Sequence, residues 1–336
     1  MPSVFYIGAT GYIGGSALVR LIKRYPDWNI NALVRKEKSF EYIQQLGVTI
    51  IEGSFSDEAL VTEQSRMADI VINISSADNL SLITAILAGM KQRFNEGRPK
   101  GTFIHTSGCG VFYVDGKMDG KLDPSGRVWN DANEDDMKSI TTSQWHGPVD
   151  VSIFEAGEQG YVNTYIICPS GVVGTPPAEA VMANNGAFLK FITQTYIKAK
   201  RGVYVGDGTN RFQFIHIDDL VDYYMRIVDI AVNGKDAGAS SYARYFIATA
   251  ISVPWKEVAT AVAEDLHRRS ILESPALMSV TKSELELYEP LALMYSLDLC
   301  AIAGRGKGLG WEPRHVVLTD YIKESMDGIL DAISAD

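Results

Sequence analysis

Cysteine is scarce: Cys109, Cys168 and Cys300 are the only three in 336 residues. An odd number at wide spacing suits reduced thiols in a cytoplasmic protein better than a disulfide framework or a zinc site. No apolar run approaches the roughly 18 residues that cross a bilayer, and a strand-like stretch at residues 4–8 leaves no space ahead of it for a signal peptide. A soluble, unsecreted chain is expected. Basic residues are outnumbered, 31 Lys and Arg against 41 Asp and Glu, for a net charge of -10. That balance opposes a phosphate-tracking surface, so neither nucleic acid nor membrane is an expected partner. Polar tracts and internal repeats are missing too. What is present, 46% hydrophobic residues, is ample for a large core, and the length suits one large domain with a smaller cap.

Short apolar runs at residues 4–7, 30–34, 48–51, 69–73, 102–105 and 164–168 alternate with longer stretches, such as 17–25 and 80–94, whose apolar residues recur at helical spacing. Parallel strands need crossover connections, so this rhythm predicts a doubly wound α/β fold built on a parallel sheet. Gly and Pro cluster at residues 169–177, after which the alternation becomes irregular, with helical stretches at 187–200 and 255–269. These mark the cap. A strand-like start and a long amphipathic helix at residues 212–232 predict a return to the first domain. The Gly-rich residues 304–310 read as a loop.

The first strand runs straight into Gly8, Ala9, Thr10, Gly11, Tyr12, Ile13 and Gly14, and the residues beyond have helical spacing. In that setting Gly8 permits a tight turn, Gly11 lets backbone approach a pyrophosphate, and Gly14 lets helix and strand pack closely. The helix N-terminus then stabilises the phosphate charge. After the second strand, where an acidic residue would bind ribose hydroxyls, the sequence has Arg35, Lys36, Glu37 and Lys38. Arg35 fits the 2′-phosphate of NADP(H), with Lys36 or Lys38 adding charge. Ser54 and Phe55, after the third strand, are placed to border the adenine. The sequence therefore predicts NADP(H) as cofactor and no metal. Residues 1–170 form the expected Rossmann domain, with 212–249 returning to it; 171–211 and 250–336 form the expected substrate cap.

Further motifs follow the later strands: Thr106 and Ser107 after the fifth, PSGVVG at 169–174 after the sixth, then GDGT at 206–209, FIHIDD at 214–219 and LGWEP at 309–313. With these, the chain resembles the extended short-chain dehydrogenase/reductase superfamily, on its NAD-dependent epimerase/dehydratase side, over nearly its whole length. The resemblance implies additional cofactor contacts at Thr10, Tyr12, Ile13, Ser75, Ser76, Thr106, Pro169, Gly171 and Val172. It also brings out departures. Family members carry Tyr-x-x-x-Lys on the helix before the sixth strand; the tyrosine exchanges a proton with substrate, while the lysine binds the nicotinamide ribose and lowers the tyrosine pKa. Here that helix offers His146 and Asp150 at the same spacing. The strings with matching spacing at Tyr113 and Tyr196 fall in a loop and beyond the sixth strand. The family's catalytic Ser or Thr falls at Gly108, with Ser107 one place earlier. Arg211 stands one residue early for the phosphate-binding arginine of nucleotide-sugar epimerases, which argues against such a substrate.

The candidate catalytic residues are thus four. His146 carries an imidazole, the side chain suited to general acid/base exchange; Asp150, one helical turn on, is placed to orient it or to accept a hydrogen bond from ribose. Ser107 can donate to a carbonyl, and the Tyr113 phenol closely follows the fifth strand. His105 and His216 read as structural. The expected function is NADPH-dependent reduction of a carbonyl or imine on a small, mostly apolar molecule, with His146 or bound water supplying the proton. One alternative is a non-redox enzyme that keeps NADP as a scaffold. Another is a regulator resembling the NmrA-like branch, which binds the dinucleotide and reports to a protein partner. A homo-oligomer is compatible with the sequence.

Overall fold

Runs of Val, Ile, Phe and Tyr without polar alternation suit strands covered on both faces. The computed structural model describes residues 1–35, 37–113, 118–180, 187–236, 239–288 and 294–334. Its first half consists of β1 (Ser3–Ile7), α1 (Tyr12–Arg24), β2 (Asn29–Val34), α2 (Phe40–Gln45), β3 (Thr49–Glu52), α3 (Glu58–Met67), β4 (Ile70–Asn73), α4 (Leu80–Asn95), β5 (Gly101–Thr106), β6 (Trp129–Asn130), α5 (Glu134–Lys138), α6 (Gly147–Glu158) and β7 (Val162–Pro169). Then follow β8 (Gly171–Val173), α7 (Ala187–Ala199), β9 (Gly202–Val205), β10 (Arg211–His216), α8 (Ile217–Asn233), β11 (Tyr245–Ala248), β12 (Ile251–Pro254), α9 (Trp255–Arg268), β13 (Leu277–Val280), α10 (Lys282–Glu286), β14 (Ala301–Ile302), α11 (Gly304–Gly308) and α12 (Leu318–Ser334).

Seven strands form one parallel sheet in the order β3-β2-β1-β4-β5-β7-β11. Side chains alternate across it. Val4 and Tyr6 of β1 join a core with residues of α1, α2 and α8, while Phe5 and Ile7 join the opposite core with α3, α4 and α6. Local chemistry starts the helices on one side: Asp57 accepts the Leu60 N–H at the head of α3, and Asn79 accepts the Leu82 N–H at the head of α4, both at 3.0 Å. The strand order reverses direction at β1 and β4, and a crevice opens at their carboxyl ends. The doubly wound fold read from the sequence is the fold observed.

A third apolar core draws on α7, α9 and α12, with Val203, Val205, Phe212 and Phe214 of β9 and β10. Small sheets of order β12-β10-β8 and β13-β9 frame it, while a third, β14-β6, places Trp129 and Ala301 in the core of α3, α4 and α6. The chain passes between the layers more than once, since α8 packs on the large sheet directly after β10 has paired in a small one. Two sequence readings are corrected. β11 is a seventh strand of the large sheet that the pattern of apolar runs did not single out. Residues 304–308, read as loop, form α11, because the Asp131 carboxylate accepts the Arg305 N–H (2.8 Å) and caps the Gly-rich turn from a distant part of the chain. Among the described residues no helix is long and apolar enough to cross a membrane.

Candidate active site

The carboxyl ends of β1, β4, β5 and β7 open into a cleft of about 450 Å³. Gly11, Tyr12 and Ile13 line it at one end. Ser75 follows from β4, Tyr113 from the segment after β5, and Pro169, Gly171 and Val172 from the exit of β7. The opposite wall, Phe188, Phe212, Met294 and Leu299, is apolar, and no Lys or Arg is among the described lining residues.

The turn after β1 is built from backbone contact. Gly8 has φ +105, and a Cβ there would lie 2.6 Å from the Ile74 carbonyl oxygen; one at Gly14 would lie 2.0 Å from that of Gly8. Only glycine fits either place. A Cβ at Gly11 would meet just the Gly8 carbonyl, at 3.4 Å, so the fold tolerates a side chain there. α1 begins with neither a side-chain cap nor an acidic residue in its first turn, which leaves its leading amides directed at the cleft for an anion. The half-buried Thr10 completes the turn. Tyr12 donates its hydroxyl to the Gly174 carbonyl (2.7 Å), joining the turn to the segment after β8.

Farther along the sheet edge, the exposed Arg35 holds its guanidinium 5.6 Å from the centre of the Phe55 ring. Beside them, Ser54 Oγ accepts the Ser56 N–H (3.2 Å). Lys36 lies outside the described residues. Ser75 donates its hydroxyl to Asn73 Oδ1 (2.7 Å), and Ser76 Oγ accepts the Asp78 N–H (3.3 Å). Thr106 is buried and bonded to the Tyr224 hydroxyl, beneath the cleft.

His146 is not on the helix where its spacing placed it. Gly147 and Pro148 start α6, and His146 is the residue before, in the left-handed region at φ 64. Its ring therefore leaves the helix axis and lies over the turn after β5. Nδ1 is 2.6 Å from Asp78 Oδ1, and Trp145 stacks alongside with ring centres 5.3 Å apart. A side chain at Gly108 would put its Cβ 3.0 Å from His146 Nε2, and one at Gly110 would put it 2.9 Å away. The imidazole thus occupies the space that a serine at position 108 would need. With Asp78 accepting from Nδ1–H, Nε2 is the nitrogen left to exchange a proton in the cleft.

Asp150 does not orient His146, contrary to the sequence reading. Asp150 lies in the first turn of α6, which His146 only precedes, and its carboxylate points inward, fully buried, where it accepts hydrogen bonds from Ser107 Oγ (2.9 Å) and the Tyr245 hydroxyl (3.0 Å). Burial pushes its pKa up to about 7, against the lowering effect of those two donors. Ser107 is buried with it and spends its hydroxyl on that carboxylate. Tyr113 lines the cleft, and removal from water raises its phenol well above the ordinary value, so it stays protonated. Burial lowers His105 to about 3, and its Nδ1 faces Asn73 Nδ2 at 3.1 Å.

Sequence reasoning missed Asp78, Trp145, Gly110, Tyr245 and the apolar wall. The Asp78 contact joins residues 68 apart, beyond any local spacing rule. Of the remaining Tyr-x-x-x-Lys strings, Lys117 lies outside the described residues, and Tyr196 is buried in the third core with its hydroxyl donated to the Val203 carbonyl (2.9 Å). Arg211 turns away from the cleft to Ser252, donating to its Oγ (3.1 Å) and carbonyl oxygen (2.8 Å). His216, Asp218 and His315 converge as a metal-like group. However, His216 Nδ1 accepts the Asp218 N–H (3.2 Å), leaving Nε2–H to face Glu324 (3.1 Å), so neither nitrogen offers a free lone pair.

Residues 3–94 match the profile of the NmrA-like family. The chain is 24% identical over 328 residues to the oxidase ucsJ of Acremonium sp., covering 92% of each. Its fold is similar to that of a UDP-glucose-4-epimerase from Stenotrophomonas maltophila solved with NAD and formylated UDP-arabinopyranose (TM-score 0.66, 13% identity, all of both chains covered). A nucleoside-diphosphate-sugar epimerase from Pseudomonas aeruginosa is similar too (TM-score 0.65, 17% identity, 98% of each chain). So is the NAD complex of dTDP-glucose 4,6-dehydratase from Bacillus anthracis (TM-score 0.62, 13% identity, 98% of this chain and 97% of the other). The chain therefore shares its fold with these epimerases and this dehydratase, with an NmrA-like match across its first four strands.

Proposed function

We propose that the protein is a nicotinamide-dinucleotide-dependent oxidoreductase, preferring NADP(H), that interconverts a carbonyl or imine and its reduced form on a small, mostly apolar molecule. The observation that carries this reading is the seating of His146. A strained backbone, a carboxylate on Nδ1, a stacked indole and two glycines converge to aim one imidazole nitrogen into the cleft that begins at the Gly8 turn. Such strain persists where the surroundings fix it, and it clusters at working sites.

The glycine turn fits a dinucleotide: the bare face at Gly11 admits a pyrophosphate against the uncapped amides of α1, Arg35 and Phe55 suit the adenosine end with its 2′-phosphate, and Pro169, Gly171 and Val172 suit the nicotinamide end. When bound, a nicotinamide supplies or takes up hydride. His146 Nε2 gives a proton to the substrate oxygen or nitrogen in reduction and removes it in oxidation. Asp78 stabilises the imidazolium that forms in the oxidative direction and holds the ring's tautomer. The protonated Tyr113 phenol is a second donor to a carbonyl. The apolar wall, with no cationic side chain among its described residues, suits a neutral substrate and offers nothing to a sugar diphosphate. The relative named an oxidase supports redox chemistry.

The NmrA-like match favours a second reading, a dinucleotide sensor that binds a protein partner. Steady NADPH or NADP consumption with a panel of apolar ketones, imines and alcohols, lost in His146→Phe, supports the enzyme. Tight dinucleotide binding with no turnover on any panel member would favour the sensor.

A further inference from the structure

The turn that carries Gly108 and Gly110 beneath His146 has Cys109 between them, and the thiol of Cys109 faces away from the imidazole, into the sheet. It meets Cys168, the penultimate residue of β7. The two sulfurs are 3.7 Å apart, in van der Waals contact, and Cys109 also donates its S–H to the Cys168 carbonyl (3.5 Å). Both residues are buried, at 4% and 0% exposure, yet Cys109 is among the residues that line the cleft. Cys300 is partly exposed and stands apart as a free thiol.

We infer that Cys109 and Cys168 are a reactive thiol pair that closes to a disulfide when a hydroperoxide enters the cleft. This rests on the sulfur geometry and not on the oxidoreductase reading. Cys109 sulfur attacks the peroxide O–O bond; one oxygen becomes its sulfenic hydroxyl, and the other leaves as an alcohol or water with the thiol proton. Cys168 sulfur then attacks the sulfenic sulfur, forming S–S, breaking S–O and releasing water with the second proton. Two thiols are oxidised and one peroxide is reduced. The order follows from access: Cys109 lines the cleft, whereas Cys168 lies fully buried behind it, so Cys109 is the sulfur first oxidised. Contact between the sulfurs makes the second step intramolecular, which favours closure over release of the sulfenic acid. Forming the bond draws the sulfurs from 3.7 Å to about 2.05 Å. The movement pulls on the middle residue of the floor on which His146 rests.

The test exposes the reduced, full-length protein to hydrogen peroxide, alkylates remaining thiols after denaturation and maps the peptides. The expected result is a reductant-sensitive link between the Cys109 and Cys168 peptides, with an intact mass two hydrogens lighter, unchanged in Cys300→Ser. In Cys168→Ala the link should vanish, and Cys109 should be trapped by dimedone as sulfenic acid. Mapping of the wild type needs no variant to fold. Full alkylation of Cys109 and Cys168 under peroxide that oxidises Cys300 would overturn the inference, as would linkage of either residue to Cys300 alone.

Discussion

A histidine in the left-handed region sits roughly 1–2 kcal/mol above the helical conformation, so the contacts around His146 must outweigh that cost. The side chains that hold it define the first predictions. His146→Phe should lower single-turnover rates about a hundredfold or more, the loss expected for a missing proton donor, with dinucleotide affinity nearly unchanged. Gly108→Ser restores the residue common in the family and should be about as damaging, because its Cβ would land 3.0 Å from Nε2 and displace the ring. Full activity in Gly108→Ser would show that the imidazole is not where the chemistry occurs. Arg35→Asp should weaken or reverse a preference for NADP(H) over NAD(H), checked by calorimetric titration; equal affinities in the wild type would refute that assignment. At this scale the spacing that pointed to His146 placed it on a helix it does not enter, and the sequence showed a glycine where the resembled superfamily usually has serine. It did not disclose that these departures are one event, because the ring reaches Gly108 only through a backbone turn that spacing does not encode. Nor could it show Asp78, whose tie to His146 exists only once the loop after β4 has folded beside α6.

Among the elements, the turn between β1 and α1 separates glycines that the backbone requires from one that it does not. Gly11→Val should leave a folded protein that no longer binds dinucleotide, since its Cβ meets only one carbonyl at 3.4 Å while its side chain fills the space over the α1 amides. Gly14→Val should instead lower stability by more than about 3 kcal/mol, because a Cβ 2.0 Å from the Gly8 carbonyl cannot be relieved by a rotamer change. Circular dichroism melts and cofactor titration on the two variants separate the cases; identical behaviour would count against the division. Strands β1, β2, β4, β5 and β7 were legible because buried parallel strands read as continuous apolar runs. β11 was less so: four residues among loop-like neighbours gain their identity from pairing with β7. α11 was illegible for a related reason, its cap coming from Asp131, far upstream.

For the molecule as a whole, buried titratable groups give stability an uneven dependence on pH. Burial raises Asp150 to about 7 and Asp131 to about 6, so the folded state binds these protons more tightly than the unfolded chain. Their contribution therefore falls as pH rises from about 4, the unfolded value, through the folded values. His105, lowered to about 3, acts in the opposite sense: its contribution is present above about 6.5 and lost as pH falls below it. Asp150→Asn removes one of these terms. The melting temperature of the variant relative to wild type should be highest above about pH 7 and decline toward about pH 4; a difference independent of pH would show that Asp150 titrates normally. The division of the chain between layers was the part of the fold least open to local patterns, since it is drawn by contacts across long sequence separations. One such set of contacts bears on how the protein is made. Tyr12, in the turn after the first strand, is bonded to the Gly174 carbonyl; the Gly174 N–H is donated to Ser325, and the next amide to Glu324, both on the last helix. A ribosome emitting this chain releases the glycine turn long before α12, so a nascent chain halted ahead of α12 holds the turn without the two side chains that brace the Gly174 segment against it.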